Sequence, residues 1–442
     1  MNHPSAFSRK WVESFQQEVL EGLKELKPML EEVQDGIRQM GNFSGRLFCI
    51  ATGKALSTFL DLTREVNLEW TEVVGVGTED IDLKDIGVRE TIYLGSHPHP
   101  TKASISACEL LSSKISSWNL TQEDLVVYLL SGGTSALFGA PAGALTHTEY
   151  KFICERLFYS GLDVTQINAV RRVISRLHGG RLLVSLQPSA VITFAMVDNL
   201  QTGARDVGSG PTVPLTNADF RKAEAILKQI AIPKAIINKV NDIIKHEEFR
   251  EFVSLSNHAF RILLSPKSLL NIAQNAAKKR EFVVKVFPDP QTEDINIVHS
   301  TFRKILNWAN TNCSVPVCFM ANGEAVLTIT EQRGKGGRCQ HLALLMIEDV
   351  ERVSMNACFV AMSTDGVDYL PGIQGAWVDE NSNLILKKIG FDTNEALSSF
   401  DSHVVLDAID HLLLGPSTGI NLCDLYALFL WPNEFPKGQF KC

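Results

Sequence analysis

Short apolar segments alternate with helical segments along most of this chain, and this alternation constrains the fold more than any other feature of the sequence. Apolar residues at helical spacing predict helices over residues 9–41, 102–117, 147–160, 165–177, 217–229 and 234–246. Strand-like segments lie between them at 47–51, 91–95, 125–130 and 190–196. Strands that alternate with helices form a largely parallel sheet covered by helices, so an α/β fold is predicted.

The same alternation continues in the second half of the chain. Strands are predicted at 260–264, 282–287, 315–320, 326–330 and 357–363, and helices at 266–279 and 297–310. A chain of 442 residues is too long for one compact core. We therefore predict an N-terminal domain, 1–246, and a C-terminal domain, 247–442, each built on a largely parallel sheet. Because two α/β domains usually hold their ligand between them, the active site is expected in the interdomain cleft.

Composition and charge argue against several classes of protein. A net charge of −8 disfavours a general nucleic-acid-binding surface. Since no run of about 18 apolar residues occurs, no membrane span is predicted. The first residues lead into a charged amphipathic stretch without an apolar signal core, and the nine cysteines lack CxxC pairs. Reduced thiols in a cytoplasmic protein without zinc are expected, and a homodimer is left open.

The most informative segment directly follows the strand at 125–130 and reads Ser131-Gly132-Gly133-Thr134-Ser135. Paired glycines let backbone N–H groups approach an anion, and a helix that begins here adds its N-terminal dipole. The alternative is a tight strand-to-helix turn with Ser135 as its cap. Two glycines with two further hydroxyls exceed what a turn needs, so phosphate binding is the preferred interpretation.

Two basic segments carry groups that bind carboxylates or phosphates. Asn168 and Arg171 belong to the first, and Gly334-Lys335-Gly336-Gly337-Arg338 is the second. Guanidinium groups bind pairs of anionic oxygens. The three glycines before Arg338 indicate a backbone that lies close to another part of the protein or to a ligand. A solvated helix face ended by a glycine cap is the alternative for the first segment, and a flexible hairpin is the alternative for the second.

Carboxylates also follow predicted strands. Asp365 and Asp368 come after the strand at 357–363, and two carboxylates three residues apart suit a magnesium ion or a general base. Asp198 comes just beyond the strand at 190–196. A role for Asp365 in an Asx-turn is the alternative.

Lys54 and a pair of histidines complete the candidates. Lys54 follows the strand at 47–51, where an ordinary surface charge is the alternative. His97 and His99 lie in the sequence Ser-His-Pro-His-Pro. Without an evident third ligand, we interpret this segment as the wall of a loop and not as a metal site.

In this order, the motifs resemble the type-II glycerate kinase family, whose C-terminal half is called the MOFRL domain. The resemblance runs from about Gly53 to Asp424, which is most of the chain. Each motif alone is weak evidence for the family, but eight such motifs in the family's order rarely occur in an unrelated chain. The stretches that carry it include Gly53-Lys54-Ala55, His97-Pro98, 131–137, Gly179-Gly180-Arg181-Leu182, Ser209-Gly210-Pro211-Thr212-Val213, Gly323-Glu324, Gly334-Lys335-Gly336-Gly337-Arg338 and Thr364-Asp365-Gly366.

The resemblance implies phosphorylation of D-glycerate to 2-phosphoglycerate with ATP and Mg²⁺. It implies catalytic roles for Lys54 and Arg338, because phosphoryl transfer depends on positioning and on neutralising charge. Asp198 is the match for a carboxylate near the reacting hydroxyl or the metal. It further assigns substrate or phosphate to Ser131, Gly132, Gly133, Thr134, Ser135, Asn168, Arg171 and Lys335, and the metal to Asp365 and Asp368.

Several positions depart from the family pattern. Thr134 stands where a third glycine is usual, and Gln201-Thr202 stands where a Gly-Asp pair is usual. Tyr369 and Gly372 replace an expected glycine and an expected aspartate. Three interpretations follow: a divergent glycerate kinase, a kinase for a related hydroxy acid, or a weakened relative that binds a ligand without turnover.

An oxidoreductase is the remaining alternative, because members of this family have sometimes been labelled hydroxypyruvate reductases. The nearest approach to a dinucleotide fingerprint is Gly75-Val76-Gly77, which lacks the third glycine and the following helix. The kinase is therefore preferred.

Overall fold

The computed structural model of the protein describes residues 7–41, 43–79, 86–197, 207–248, 257–330 and 334–433. The chain forms two compact units. The N-terminal unit is Leu26–Leu264, and the C-terminal unit combines Met1–Glu25 with Ser265–Cys442. Each unit contains a six-stranded sheet with helices, which confirms the predicted two-domain α/β fold.

The elements follow one another along the chain much as the sequence predicts. The helices are α1 (Arg9–Lys24), α2 (Leu26–Gln39), α3 (Leu56–Glu65), α4 (Lys102–Ser117), α5 (Thr134–Leu137), α6 (His147–Phe158), α7 (Val164–Ile174), α8 (Arg181–Ser185), α9 (Asn217–Gln229), α10 (Lys234–Glu248), α11 (Pro266–Lys279), α12 (Ile295–Asn312), α13 (Arg338–Glu351), α14 (Ser382–Ile389), α15 (Thr393–Ser398) and α16 (Ser402–Ala408). The strands are β1 (Leu47–Thr52), β2 (Glu72–Gly77), β3 (Glu90–Leu94), β4 (Leu125–Leu130), β5 (Ala190–Met196), β6 (His258–Leu264), β7 (Val283–Val286), β8 (Val317–Gly323), β9 (Asn356–Ser363), β10 (Val367–Asp368), β11 (Leu370–Pro371), β12 (Ile373–Asp379), β13 (Leu412–Leu414) and β14 (Asp424–Trp431). No helix in the described part of the chain is both long and apolar enough to cross a membrane.

The sheet of the N-terminal unit is parallel throughout, in the order β3-β2-β1-β4-β5-β6. Every residue of β1 and β4 is buried, as expected for central strands covered on both faces. From β1, the following strands β2 and β3 are added on one side of the sheet, and from β4, the strands β5 and β6 are added on the other side. These two strands therefore flank the topological switch point, where α/β sheets of this kind bind their ligands.

The sheet of the C-terminal unit is mixed, in the order β13-β12-β9-β14-β8-β7. Among its described strands, β7 and β8 pair in parallel, and the other neighbouring pairs are antiparallel. The expectation of a largely parallel sheet is corrected here. The short connection from β9 to β12 lacks a crossover helix, so these strands pair antiparallel, and apolar runs in the sequence do not specify strand direction.

The first helix belongs to the C-terminal unit and not to the domain predicted as 1–246. Trp11 and Phe15 of α1 pack edge-to-face against Phe429 of β14, with ring centroids 5.0 and 5.1 Å apart. At the other boundary, β6 pairs with β5 and completes the first sheet. The N-terminal unit therefore ends at Leu264. The segment Met1–Glu25 belongs to the C-terminal unit, because the aromatic residues of α1 pack there.

One predicted strand is absent. Residues 326–330 form no strand, and Val326 makes an isolated bridge with Asp294. The segment was predicted from its β-branched residues, but Val326 and Ile329 are exposed. The β-propensity of residues 326–330 was not enough to form a strand, because Val326 and Ile329 are not buried against a sheet.

Candidate active site

Lys54 and the Ser131–Ser135 loop meet at the switch point of the N-terminal unit. Lys54 follows the end of β1, and the loop follows the end of the neighbouring strand β4. The Lys54 N–H donates to the carbonyl of Gly132 at 2.9 Å, which joins the two segments directly. A methyl group on Gly53, whose φ is +115°, would lie 2.1 Å from Ser131 Oγ. The close approach therefore requires glycine at this position.

The hydroxyl groups of Ser131 and Thr134 hold this loop in place. Ser131 Oγ accepts from the N–H of Ala55 at 3.1 Å and donates to the carbonyl of Thr52 at 3.2 Å. Thr134 is buried, and its Oγ1 donates to the carbonyl of Ser131 at 2.9 Å. Thr134, which replaces the usual glycine, therefore turns its side chain into the protein and away from solvent.

Backbone N–H groups are what the loop presents. Within the described residues, the N–H groups of Gly132, Gly133, Thr134 and Ser135 donate no backbone hydrogen bond. Gly133 has a φ of +88°, a conformation that leads from the strand into the short helix α5. Successive free N–H groups after such a residue form a concavity that suits an anion. The predicted phosphate-binding segment therefore offers its backbone N–H groups to a ligand, whereas the hydroxyl groups of Ser131 and Thr134 bond within the protein.

The side chains of Lys54 and His97 border the same glycine. A methyl group on Gly133 would lie 3.1 Å from Lys54 Cγ, 3.3 Å from His97 Cδ2 and 3.7 Å from His97 Nε2. Among the described residues, Lys54 makes no side-chain hydrogen bond or ion pair, so its charge is available to a ligand. The pKa of His97 is lowered to about 4 by burial and by the positive charges of Lys54 and Arg171.

Gly133→Ala is expected to weaken the affinity of this loop for a phosphate-containing ligand about tenfold. The added methyl group displaces Lys54 and His97 by contact, and a non-glycine residue at positive φ costs about 1 kcal/mol of stability. Gly161→Ala is the matched control, because Gly161 has a φ of +70° with nothing within 4 Å of the added methyl group. Both variants are expected to lose similar stability in thermal unfolding, and calorimetry with a nucleotide measures the affinity. Equal losses of affinity in the two variants would contradict phosphate binding at this loop.

Asn168 and Arg171, both on α7, lie behind the loop. Ser135 Oγ lies 2.8 Å from Ser209 Oγ, which donates to Asn168 Oδ1 at 3.1 Å. Asn168 is buried, so it supports the loop from beneath. Arg171 is half-buried, and its buried Nε has no hydrogen-bond partner among the described residues. Arg171 therefore adds positive charge beside the loop, and no described carboxylate forms an ion pair with it.

In the C-terminal unit, Arg338 begins helix α13 and is fixed by a carboxylate. Its Nε donates to Asp424 Oδ2 at 2.5 Å, and its Nη2 donates to Asp424 Oδ1 at 3.0 Å. Nη2 also donates to Glu324 Oε1 at 3.2 Å. The hydroxyl of Tyr426 donates to Asp424 Oδ2 at 2.9 Å. Burial disfavours the charged guanidinium, but Asp424 outweighs that effect and raises the pKa of Arg338.

The orientation of Arg338 leaves one nitrogen for a ligand. Asp424 is fully buried, whereas 34% of the Arg338 side chain is exposed. In the register of the sheet, Asp424 pairs with Gly323 of β8 and with Ser363 of β9, so it lies between the carboxyl ends of those strands. Arg338 Nη1 makes no hydrogen bond to a described residue. Asp424 was part of a motif but received no role from the sequence, because β14 was not predicted.

The glycine-rich segment before Arg338 is held against the loop that leads into α16. The N–H of Lys335 donates to Asp401 Oδ1 at 2.8 Å. A methyl group on Gly334 would lie 2.6 Å from the Asp401 backbone, and one on Gly336 would lie 2.2 Å from Ser402 Oγ. The segment is therefore packed and is not the flexible hairpin of the alternative interpretation. Its Lys335 side chain is exposed, and it forms no ion pair with a described residue.

Asp368 caps helix α13. Its Oδ1 accepts from the N–H of Cys339 at 3.1 Å, and its Oδ2 accepts from the N–H of Gln340 at 2.8 Å. Burial raises the pKa of Asp368 to about 6, and the negative charge of Asp424 adds to the rise. Capping carboxylates stabilise the N-terminus of a helix, so a structural role accounts for both oxygens.

Asp365 forms an Asx-turn, which was the alternative to a metal role. Its Oδ1 accepts from the N–H of Val367 at 3.0 Å and from Ser363 Oγ at 2.8 Å. The described residues contain no group of three or more His, Cys, Asp or Glu side chains that could hold a metal ion. Asp365 and Asp368 therefore have structural partners of their own, and a magnesium role for them stays a prediction. Asp198, with Gln201-Thr202, lies outside the described residues.

Asp368→Asn is expected to change how stability depends on pH. Because the folded pKa lies above the unfolded value, the folded protein retains this proton between about pH 4 and 6 when the unfolded chain has lost it. The contribution of the Asp368 carboxyl group to the free energy of unfolding is therefore highest at low pH and falls as the pH rises towards 6. The destabilisation caused by Asp368→Asn should shrink by about 2 kcal/mol from pH 4 to 7. Urea unfolding at several pH values measures it, and a pH-independent difference would contradict the raised pKa.

Comparison with known proteins identifies the family of the chain. Residues 13–245 match the family model described as a domain of unknown function, DUF4147, and residues 317–424 match the MOFRL family. The chain belongs to the DUF4147 family. The two matched segments contain Lys54 with its loop and Arg338 with Asp424, respectively. The predicted membership of the glycerate kinase family is confirmed by these matches together with the relatives.

Relatives of this DUF4147 protein carry two kinds of name. A D-glycerate 2-kinase from Thermotoga maritima is 26% identical over 341 residues, which cover 76% of this chain and 78% of the relative. A protein from Agrobacterium vitis, provisionally named a hydroxypyruvate reductase, is 26% identical over 402 residues, 87% of this chain and 100% of the relative. The crystal structure of a glycerate kinase from Thermotoga maritima has the same fold, with a TM-score of 0.83, 23% identity and coverage of 95% of this chain and 99% of that one.

Proposed function

We propose that this protein transfers the terminal phosphoryl group of ATP to the 2-hydroxyl group of D-glycerate and forms 2-phosphoglycerate. One observation carries the proposal. The side chain of Lys54, which forms no hydrogen bond or ion pair with a described residue, borders a loop with four free N–H groups at the switch point of a parallel sheet. Such a place combines fixed positive charge with hydrogen-bond donors, which is what a phosphoryl group in transfer needs. The names of the glycerate kinase relatives supply the acceptor.

The residues at this loop fit phosphate groups. Free N–H groups from Gly132 to Ser135 donate hydrogen bonds to phosphate oxygens, and Lys54 neutralises their charge. When bound, ATP supplies the phosphoryl group, whose bond to the leaving ADP oxygen breaks as a bond to the glycerate oxygen forms. Arg338, oriented by Asp424, offers Nη1 to a carboxylate or phosphate oxygen. That Lys54 and Arg338 act in one interdomain cleft stays a prediction.

Magnesium fits the described residues less well. They contain no cluster of three metal-ligating side chains, and Asp368 uses both oxygens to cap a helix. In phosphoryl-transfer sites, Mg²⁺ is commonly held by substrate phosphates, water and one or two carboxylates. We propose that the ion arrives with the nucleotide. No role in the chemistry is assigned to Asp365 or Asp368.

The reductase alternative has little support from this site. Gly75 and Gly77 lie within strand β2 and not in a strand-to-helix turn, so they do not form a dinucleotide-binding loop. The turn after β1 contains the single glycine Gly53 before Ala55 and α3. The parallel strand order is compatible with nucleotides in general, so the decision belongs to an assay.

The test measures ADP release by the purified protein with Mg-ATP, with and without D-glycerate. Enolase added to the reaction converts 2-phosphoglycerate, and not 3-phosphoglycerate, to a product that absorbs at short ultraviolet wavelengths. Glycerate-dependent ADP release with an enolase signal supports the proposal. ADP release at the level of ATP alone would overturn it, after which other small hydroxy acids would be screened. NADH oxidation with hydroxypyruvate would favour the reductase, and nucleotide binding without turnover would favour the weakened relative.

A further inference from the structure

His97 occupies a place at the loop that neither the sequence motifs nor the relatives assign. Its Cδ2 and Nε2, like Lys54 Cγ, lie within 3.7 Å of a methyl group added at Gly133. Part of the residue is exposed, while its ring packs beside Gly133 and makes no hydrogen bond to a described residue. Its ring nitrogens are therefore available to a ligand held at this loop.

The charged and titratable groups that act on His97 are all basic. Lys54 approaches from the end of β1, Arg171 from α7 and His99 from its own segment. Burial and these charges lower the pKa of His97 to about 4, so the imidazole stays neutral in the physiological range. A neutral imidazole has an unshared electron pair and can accept a proton. Its basicity is then close to that of an aspartate, the residue type that accepts the hydroxyl proton in protein kinases.

The other described side chains of this loop are committed elsewhere. Ser131 Oγ donates to the carbonyl of Thr52, Thr134 Oγ1 donates to the carbonyl of Ser131, and Ser135 Oγ pairs with Ser209 Oγ. Lys54 carries a positive charge and donates only. Among the described side chains that border Gly133, His97 is thus the one with a free acceptor. The hydroxyl that attacks phosphorus must lose its proton to an acceptor close to the transferring group.

We propose that His97 accepts the proton of the attacking glycerate hydroxyl through Nε2. As the bond from that oxygen to phosphorus forms, the bond from phosphorus to the ADP oxygen breaks, and the proton passes to His97 and then to water. Lys54, which also borders Gly133, neutralises the phosphoryl oxygens in the same step. This inference rests on the proposed function and deepens it, because it assigns the proton transfer to His97 in place of Asp198, which the resemblance placed near the reacting hydroxyl.

The first test compares His97→Gln and His97→Ala with wild type in the ADP-release assay. We expect kcat to fall about 100-fold in both variants while KM for glycerate changes less than about threefold, because proton transfer contributes in the transition state. Added imidazole should restore part of the kcat of His97→Ala and none of that of His97→Gln. His147→Gln is the matched control, since His147 is an exposed histidine of the same unit. Retention of more than half of the wild-type kcat in His97→Gln would overturn the proposal.

The second test measures the protonation of His97 without turnover. In a sample with isotope-labelled histidine, the resonance absent from His97→Gln identifies the ring, and its titration is followed by NMR. We expect this titration well below that of an exposed histidine, with an upward shift in Lys54→Met. Titration at an ordinary histidine pKa, unchanged by Lys54→Met, would overturn the placement of the ring. A wild-type protein without glycerate-dependent turnover would instead contradict the proposed function, so the two failures are distinguishable.

Discussion

Lys54→Met is expected to lower kcat/KM for glycerate-dependent ADP release by at least about 1,000-fold, with no loss of thermal stability. The Lys54 side chain contributes a positive charge beside the free N–H groups of the loop, and phosphoryl transfer depends on such fixed charge. Stability should be unaffected because Lys54 makes no side-chain hydrogen bond or ion pair with a described residue. Methionine retains the apolar stem against Gly133, so packing changes little.

The control for this experiment is Lys151→Met. Lys151 is exposed on α6 of the same unit, where its nearest carboxylate is 3.6 Å away on Glu155. This variant should keep the activity and the melting temperature of wild type, since exposed ion pairs contribute little. Nucleotide affinity, measured by calorimetry, should weaken in Lys54→Met alone. If Lys54→Met kept more than about a tenth of the activity, the charge at the switch point would not be the main catalytic feature.

The strands that carry Lys54 and its loop could be predicted because local signals specify them. The residues of β4 form an uninterrupted apolar run of strand length, and the glycines at Gly132 and Gly133 mark its end. The sequence thus located the loop within a residue. It did not show that β1 and β4 are neighbours, because strand order depends on contacts between distant segments. That adjacency, seen in the structure, is what joins Lys54 to the loop.

The roles of individual side chains were harder to predict. The hydroxyl groups of Thr134 and Ser135 were expected to contribute to phosphate binding, yet both have hydrogen-bond partners within the protein. Asp365 and Asp368 were paired because of their spacing, but Asp368 accepts from the N-terminus of a helix that begins thirty residues earlier in the chain. Spacing specifies which residues are near in sequence, whereas capping by Asp368 depends on where the N-terminus of a distant helix lies.

The partner of Arg338 illustrates the same limit. Asp424 begins β14, an eight-residue strand buried throughout, and its apolar run was a usable signal that received no strand assignment. Even with that strand predicted, its position between β8 and β9 requires the register of an antiparallel sheet. Burial of a lone carboxylate is costly unless it is paired, so an Asp at the start of a buried strand indicates a cationic partner. That rule would have suggested Arg338.

Asp424→Asn is expected to lower the free energy of unfolding by about 3 kcal/mol, the largest stability effect among these variants. The carboxylate is fully buried, and it accepts two hydrogen bonds from Arg338 and one from Tyr426. Its replacement removes the buried neutralising charge and leaves the guanidinium paired only with the more exposed Glu324 among the described residues. The effect should lie at the lower end for a broken buried pair, because the exposed third of the Arg338 side chain can rehydrate. Chemical denaturation at pH 7 measures it.

Glu348→Gln is the matched control for this pair. Glu348 forms an ion pair with Arg352 four residues away on the same helix, α13, and both side chains are exposed. Its loss should cost less than about 0.5 kcal/mol. A cycle that combines Asp424→Asn with Arg338→Met should give a coupling energy of about 2 kcal/mol, since each single change removes the direct pairing of the two charges. Equal, small effects of Asp424→Asn and Glu348→Gln would mean that Asp424 does not hold Arg338.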